Sequence, residues 1–134
     1  MEKEIRILLI EDVQEDIRFA QIQFKQIFGD KHTVEVADYF SRALQLLKKK
    51  SFDIIILDLS LPDSKGLDNF KNILKSHNIP TIIYTGLSDE FVKNEALRYG
   101  AMDYLIKGKT TNDNLKESIV KSIKEYSDRH KTKL

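Results

Sequence analysis

The stretch Phe52–Gly66, FDIIILDLSLPDSKG, predicts a strand that ends abruptly at an acid. Its residues Ile54–Leu57 form an unbroken apolar run, which is typical of a strand covered on both faces of a parallel sheet. Turn-forming residues follow from Pro62 onward. Asp58 should therefore stand at the carboxyl end of a central strand, which is the edge where open α/β sheets bind their ligands.

Apolar runs and helical patterns alternate along the rest of the chain. Strand-like runs fall at residues 5–10, 33–37, 54–57, 81–84 and 104–106, and helical spacing falls at residues 17–28, 40–50, 67–74, 92–99 and 115–126. This alternation predicts parallel βαβ units with five helices on both faces of a five-stranded sheet. We expect residues 1–134 to form a single domain, with a core at about 5–126 and a polar, frayed tail at 127–134.

The composition narrows the class of protein. A chain of 134 residues with 41% hydrophobic and 32% charged residues suits one globular domain. The net charge of +1 argues against direct nucleic-acid binding, and zero cysteines exclude disulfides. The start MEKEIR lacks the apolar core of a signal peptide, and no apolar run is long enough to span a membrane. We expect a cytoplasmic protein without a membrane partner.

Polar side chains follow four of the predicted strands. Glu11 and Asp12 end the first strand, Asp58 the third, Thr85 the fourth and Lys107 the fifth. The carboxyl ends of parallel strands share one edge, so three carboxylates should meet there, and their repulsion calls for a cation. Oxygen ligands favour Mg²⁺, and a carboxylate nucleophile beside a metal, a hydroxyl and an ammonium suits transfer of a phosphoryl group onto the carboxylate.

Each of these residues alone has a simpler interpretation. Asp12 with Glu15 matches a helix N-cap with a capping box. Asp58 and Thr85 each suit the start of a turn, and a lysine after a strand is usually a solvated charge. Their joint placement on one sheet edge favours a functional site, because independent caps and turns need not converge.

Four features together resemble the receiver domain of two-component response regulators. They are the Glu11-Asp12 pair, the motif LDLSLPDSKG around Asp58, the Thr85-Gly86 pair, and GAMDYLIK ending at Lys107. The resemblance extends from residue 5 to about residue 126. It implies a flavodoxin-like, doubly wound sheet with strand order 2-1-3-4-5.

The resemblance also implies a role for each matching residue. Asp58 would be the phospho-acceptor and a ligand of Mg²⁺, Asp12 a direct Mg²⁺ ligand, and Glu11 a ligand through water. The backbone carbonyl of Ser60 would complete the protein ligands of the metal. Thr85 and Lys107, the remaining site residues, would hold the phosphoryl oxygens.

A conformational switch follows from the same resemblance. The new phosphoryl charge would draw the Thr85 hydroxyl inward, and Tyr104 would move into the space vacated. The fourth helix, fifth strand and fifth helix would then form the output face. The simpler alternative for Tyr104 is a half-buried strand aromatic.

One position departs from the receiver pattern. Receivers commonly carry a proline after the lysine, often with a cis bond, whereas Gly108 follows Lys107 in this chain. A cis bond before a residue other than proline costs about 2.5–4 kcal/mol, so we expect a trans peptide and a differently shaped loop.

The function implied is that of a signalling phospho-acceptor rather than an enzyme. A histidine kinase or phosphotransfer protein would supply the phosphoryl group to Asp58, which would slowly lose it by hydrolysis, and a downstream protein would read the change. Dimerisation on activation stays open. The alternatives are a receiver fold that only docks, and a Mg²⁺-dependent phosphatase of the haloacid dehalogenase type. The phosphatase needs a second acid two residues after the nucleophile, where this chain has Ser60.

Overall fold

The computed structural model describes residues 4–131, and for residues 64, 65, 76, 130 and 131 it describes the backbone alone. The main elements, in chain order, are β1 (Ile5–Ile10), α1 (Gln14–Phe28), β2 (His32–Ala37), α2 (Phe40–Lys49), β3 (Ile54–Leu57), α3 (Asp68–Ser76), β4 (Thr81–Thr85), α4 (Glu90–Tyr99), β5 (Asp103–Ile106) and α5 (Asn112–Lys131). A small antiparallel ribbon pairs Ser60–Leu61 with Ser64–Lys65 between β3 and α3.

The five main strands form one parallel sheet in the order β2-β1-β3-β4-β5. This confirms the flavodoxin-like order 2-1-3-4-5. The register pairs Ile10 with Leu57 and Thr85 with Ile106. Glu11, Asp58 and the residues that follow β4 and β5 therefore emerge at the same edge of the sheet.

Helices cover both faces of this sheet, as predicted. One core packs α2, α3 and α4 against the sheet, and the other packs α1 and α5 against it. Strand β3 contributes to both cores, because Ile55 and Leu57 face the first while Ile54 and Ile56 face the second. All four side chains are fully buried, which explains why this strand shows no polar alternation.

The start of α1 differs from the capping interpretation of Asp12. The helix begins at Gln14, its N-cap residue is Val13, and no side chain caps it. The simpler interpretation of Asp12 and Glu15 as a capping box is therefore wrong. Glu11, Asp12 and Val13 lie between the end of β1 and the start of α1, and this keeps Asp12 at the sheet edge.

Helix α5 extends further than the sequence indicated. It continues to Lys131, past the expected core boundary at residue 126, and its length is 20 residues. Residues 127–131 of the expected tail thus belong to this helix, and residues 132–134 lie outside the described part of the chain. Neither α5 nor any other helix within residues 4–131 combines the length and apolar character needed to cross a membrane.

The N-terminus of α2 is capped from a distance. The amides of Phe40 and Ser41 donate to the two carboxylate oxygens of Asp63, at 2.8 and 3.1 Å. Asp63 lies in the turn of the short ribbon, 22 or more residues along the chain from these amides. The hydrogen bond from Phe40, joined by the one from Ser41, lowers the pKa of the Asp63 carboxyl. The segment after Asp58 is thereby tied to α2.

Replacing Asp63 with alanine should destabilise the fold by about 1 kcal/mol, the usual contribution of a helix cap. The lowered pKa means that the folded protein holds this carboxylate's proton less tightly than the unfolded chain does. The stabilisation is therefore present at neutral pH and is lost as the pH falls below about 4, the ordinary value of an aspartate. Urea unfolding of both proteins at pH 7 and pH 3 measures this difference. Asp63→Asn, which keeps an acceptor oxygen, should lose less, and an equal loss from Asp63→Ala at both pH values would contradict the capping account.

Candidate functional site

Three carboxylates converge at the carboxyl edge of the sheet, as the sequence predicted. Glu11, Asp12 and Asp58 each offer one oxygen, and these oxygens lie within 4.8 Å of one another. Glu11 and Asp58 are only 3% and 5% exposed, because β1 and β3 are neighbouring inner strands. Such close burial of like charges is unfavourable without a counter-charge.

The oxygen atoms of this group are disposed to accept a cation. Oδ1 of Asp12 is buried and has no hydrogen-bond partner. Oε2 of Glu11 accepts from the amides of Asp12 and Val13, at 3.1 and 3.2 Å, which fixes the orientation of the Glu11 carboxylate. A buried acceptor left unsatisfied costs about 1–3 kcal/mol, and a divalent ion would remove that cost. The all-oxygen donor set fits Mg²⁺.

Lys107 is the counter-charge present in the protein itself. Its ammonium donates to Oε1 of Glu11, to Oδ2 of Asp16 at 2.8 Å and to Oδ2 of Asp58 at 3.0 Å. An ammonium has three N–H donors, so all three are used. The simpler interpretation of Lys107 as a solvated charge is therefore wrong, since its side chain is only 21% exposed.

Burial and pairing shift the pKa values of the two most tightly paired groups. Burial raises the pKa of Glu11 to about 7, although the hydrogen bond from Lys107 opposes this rise. Burial lowers the pKa of Lys107, but its bonds to Asp16, Glu11 and Asp58 outweigh burial and raise the pKa above its ordinary value. Lys107 therefore stays charged at neutral pH, while a proton competes with any cation for Glu11.

The loop after β5 has the trans peptide that was expected. No peptide bond of the described chain is cis, and Gly108 adopts a φ of +83° directly after Lys107. Side chains rarely occupy this left-handed region, so the glycine permits the turn. The Lys107 amide also donates to the Thr85 carbonyl at 2.8 Å, which continues the pairing of β4 with β5.

Thr85 and Tyr104 are linked through the backbone of Leu87. The Leu87 amide donates to the Thr85 hydroxyl oxygen at 3.3 Å, and the Tyr104 hydroxyl donates to the Leu87 carbonyl at 2.7 Å. Thr85 lies at the predicted edge of the sheet and is 1% exposed. Tyr104 is 5% exposed, so the simpler alternative of a half-buried aromatic is wrong. The phenol already occupies an inward position.

Ser60 lies two residues after Asp58, where the short ribbon begins. Its side chain is exposed, and its amide donates to Oδ1 of Asp58 at 3.4 Å. This contact supports the orientation of the Asp58 carboxylate. The expected role of the Ser60 carbonyl as a metal ligand stays a prediction.

Asp16 is a member of the site that the sequence reasoning missed. It lies four residues after Asp12 in the first turn of α1. Asp12 precedes the helix, so helical spacing does not relate the two acids, and the available signal was only an acid in the first turn of a helix that starts at the sheet edge. It did not identify the partner, because contact with Lys107 depends on how α1 packs beside the loop after β5.

A pocket of about 190 Å³ opens beside these groups. Asp58 and Lys107 line it together with Phe19, an aromatic of α1. Phe19 leaves 54% of its surface exposed. The Asp58 carboxylate thus lies in a pocket that has an exposed aromatic in its lining.

Comparison with known proteins identifies the family. The sequence pattern of the response regulator receiver domain matches residues 7–120. The chain belongs to the response regulator receiver family. Response regulator ArlR of Staphylococcus haemolyticus is 34% identical to this receiver over 101 residues. The match with ArlR of Staphylococcus aureus strain Mu50 is 33% over 102 residues.

The receiver covers only part of these relatives. The matches include 75% and 76% of this chain but 45% of each ArlR protein. The chain is therefore similar to less than half of each relative's length, and it is a signalling domain of the two-component type.

Solved structures of receiver domains agree with this assignment. The receiver domain of Francisella response regulator 1452 is 27% identical, with a TM-score of 0.76, and the alignment covers 91% of this chain and 98% of that one. A response regulator receiver domain protein from Clostridium thermocellum is 26% identical, with a TM-score of 0.79 and coverage of 92% and 97%. The flavodoxin-like fold of the receiver is thus confirmed independently of its site.

Proposed function

We propose that this receiver accepts a phosphoryl group on Asp58 and thereby changes a surface that another protein reads. The observation that carries the proposal is the meeting of Glu11, Asp12 and Asp58 within 4.8 Å. The buried, unpartnered oxygen of Asp12 and the bond from Lys107 to Asp58 add to it. A carboxylate nucleophile with a fixed ammonium beside it is suited to attack phosphorus.

In the proposed reaction, a carboxylate oxygen of Asp58 forms a bond to phosphorus while the bond from phosphorus to the donor's imidazole nitrogen breaks. The imidazole keeps that electron pair, and the product on the protein is an acyl phosphate. Lys107 holds its positive charge beside Asp58 as negative charge spreads over the phosphoryl oxygens. Ser60 orients the carboxylate through its backbone amide.

Mg²⁺ would be held by the carboxylates of Glu11, Asp12 and Asp58 and by the carbonyl of Ser60. When bound there, the ion supplies charge neutralisation for the transferring phosphoryl group. Among these ligands we assign Asp12 a direct bond and Glu11 a bond through water. The later hydrolysis of the acyl phosphate acts only on the receiver itself, so we do not propose an enzyme with an external substrate.

The proposed donor is a histidine kinase or a phosphotransfer protein carrying phosphohistidine. Phe19 supports a protein donor, because an exposed aromatic at the mouth of the pocket offers apolar contact area to a partner. The output face would comprise α4, β5 and α5, and Phe91 of α4 is 72% exposed there. A downstream protein is the proposed reader, with dimerisation as a further route.

The proposed switch operates through Thr85, Leu87 and Tyr104. A phosphoryl oxygen on Asp58 would accept a hydrogen bond from the Thr85 hydroxyl and draw that hydroxyl inward, which disturbs the bond that its oxygen now accepts from the Leu87 amide. Movement of Leu87 would displace its carbonyl, which accepts the hydrogen bond from the Tyr104 hydroxyl. Because Tyr104 is already inward, the switch consists of securing or releasing this bond rather than carrying the ring in from solvent.

Replacing Thr85 with alanine should separate phosphorylation from its readout. Loss of one hydrogen-bonding hydroxyl, worth about 1.5 kcal/mol, should slow phosphorylation by only about tenfold. The NMR shifts that beryllofluoride induces at Leu87 and Tyr104 should be largely lost, because Thr85 no longer links them to the site.

The matched control for this test is Thr110→Ala. Thr110 donates its hydroxyl to the Ile106 carbonyl in the loop after β5, so this variant removes a hydroxyl without touching the Leu87 bridge. The control should respond to beryllofluoride like the wild type. A full response at Tyr104 in Thr85→Ala would refute the coupling role.

The direct test of the proposed function uses acetyl phosphate and Mg²⁺. Intact-mass measurement should show the addition of one phosphoryl group, and omission of Mg²⁺ should suppress it. A chain that stays unmodified at saturating donor would instead favour the docking module. Repeated turnover of an external phosphate ester would favour the phosphatase, which lacks support from Ser60 because a hydroxyl stands where that mechanism needs an acid.

Two expectations from the sequence remain part of this proposal. Residues 1–134 are proposed to form one receiver domain, and this receiver is proposed to be cytoplasmic. Both the single domain and the cytoplasmic location of this protein stay predictions, and fractionation together with limited proteolysis of the natural protein would test them.

A further inference from the structure

Asp16 has no role in the proposed transfer, yet it forms a direct ion pair within the site. Its carboxylate Oδ2 lies 2.8 Å from the Lys107 ammonium, and its side chain is 40% exposed. It reaches this position from the first turn of α1, whereas Lys107 comes from the end of β5. The pair therefore joins a packed helix to the loop that carries the lysine.

Asp16 differs from the other two acceptors of Lys107. Glu11 and Asp58 belong to the group whose oxygens lie close enough to share one metal ion, and within the described residues that group does not include Asp16. Glu11 and Asp58 would thus be engaged by Mg²⁺, and Asp58 would also carry the phosphoryl group. Asp16 is therefore the one acceptor of Lys107 that would bind neither the metal nor the phosphoryl group at any stage of the proposed transfer.

The freedom of Lys107 lies in its side chain. Its backbone is held, because its amide donates to the Thr85 carbonyl at 2.8 Å. The lysine stem has four rotatable carbons, so holding its ammonium in one place costs conformational entropy. An acceptor fixed on α1 compensates for this freedom.

We propose that Asp16 is a positioning residue that holds the Lys107 ammonium where it can receive the phosphoryl oxygens. This inference rests on the proposed phosphorylation of Asp58 and adds a residue that positions Lys107 for that reaction. The donor that Lys107 now directs to Asp58 turns to the phosphoryl oxygen, while the donor to Asp16 stays in place. The lysine is thereby aligned before the phosphoryl group arrives.

A competing electrostatic effect has the opposite sign. The negative charge of Asp16 repels an incoming phosphoryl group, so its removal would speed the reaction if repulsion dominated. The Lys107 ammonium lies between the two anions, and the partly exposed Asp16 is screened by solvent. Positioning therefore dominates, and loss of the Asp16 charge should slow the reaction.

The test compares Asp16→Asn with Glu15→Gln. Glu15 is the exposed neighbour of Asp16 in the same turn, so the control removes the same charge without removing a contact to Lys107. Three quantities are measured: Mg²⁺ affinity, beryllofluoride affinity at saturating Mg²⁺, and the phosphorylation rate with acetyl phosphate.

Asp16→Asn should weaken beryllofluoride binding and slow phosphorylation by about fivefold, the upper range for a partly exposed ion pair. Its Mg²⁺ affinity should stay within about twofold of that of Glu15→Gln, because the metal ligands are intact. Asp16→Glu, which restores the charge, should recover most of the loss. In the metal-free protein, the ammonium NMR signal of Lys107 should lose exchange protection in Asp16→Asn alone.

A double-mutant cycle shows whether Asp16 acts through Lys107. In a Lys107→Ala background, Asp16→Asn should have no further effect on beryllofluoride binding. The inference is overturned if Asp16→Asn matches Glu15→Gln, if it speeds phosphorylation, or if its effect persists without Lys107. A wild-type chain that accepts neither beryllofluoride nor phosphate refutes the proposed function itself, and the inference with it.

Discussion

Replacing Asp58 with asparagine should abolish phosphoryl incorporation from acetyl phosphate. An amide is not a nucleophile toward phosphorus, so the bond that defines the product cannot form. The change is nearly isosteric and keeps an oxygen that can accept from Lys107, which lies 3.0 Å away. The fold should therefore survive, and circular dichroism should give a spectrum like that of the wild type.

Asp68→Asn is the matched control for this experiment. Asp68 lies ten residues further on, at the exposed start of α3, and its replacement removes the same charge. The control should gain one phosphoryl mass at the wild-type rate. A phosphoryl group on Asp58→Asn under the same conditions would mean that another residue is the acceptor, and the assignment of Asp58 would fall.

Replacing Asp12 with asparagine should change metal binding and stability in opposite directions. The substitution removes one of three crowded carboxylates. It also allows an amide N–H group, which can donate to neighbouring oxygens, to replace the buried Oδ1 of Asp12, which has no hydrogen-bond partner. We expect the metal-free protein to gain about 1 kcal/mol, or a rise of about 4 °C in Tm. Relief of repulsion is the physical reason.

The same variant should lose the stabilisation that Mg²⁺ provides. At a concentration 100 times the Kd, a ligand stabilises the wild type by about 2.7 kcal/mol, and a variant without binding gains nothing. Thermal unfolding with and without Mg²⁺ measures both effects. Asp128→Asn on the exposed surface of α5 removes the same charge and should behave like the wild type. If metal-free Asp12→Asn were less stable than the metal-free wild type, the repulsion account would be contradicted.

The convergence of the site could be predicted because it follows from sheet geometry. Glu11 and Asp58 each come directly after an apolar run, and parallel neighbours in register bring such residues together. The same reasoning placed Lys107 at this edge. It did not predict which atoms would pair, because a lysine stem reaches many acceptors.

The sequence could not distinguish a cap from a ligand at Asp12. Both roles put a short acid at the junction between a strand and a helix, and Glu15 completed a plausible capping box. The outcome depended on where the backbone turns, and the helix begins at Gln14 with Val13 before it. A shift of one residue in the helix start thus removed the capping role from Asp12.

Two contacts were beyond sequence reasoning because they join distant segments. Asp16 meets Lys107 across 91 positions, and Asp63 caps α2 across 22 or 23 positions. Each contact depends on the path of a loop whose turn residues indicate a bend without giving its direction. The buried position of Tyr104 has the same origin, since its acceptor is a loop carbonyl at Leu87.

Diffraction from crystals grown with Mg²⁺ and beryllofluoride would test the central claim most directly. The account predicts one ion at about 2.1 Å from oxygens of Asp12, Asp58 and the Ser60 carbonyl. Glu11 should be joined to it through water, and beryllofluoride should be bonded to Asp58 with Lys107 in contact. Carboxylates that point apart, with no ion among them and no beryllofluoride on Asp58, would contradict the account.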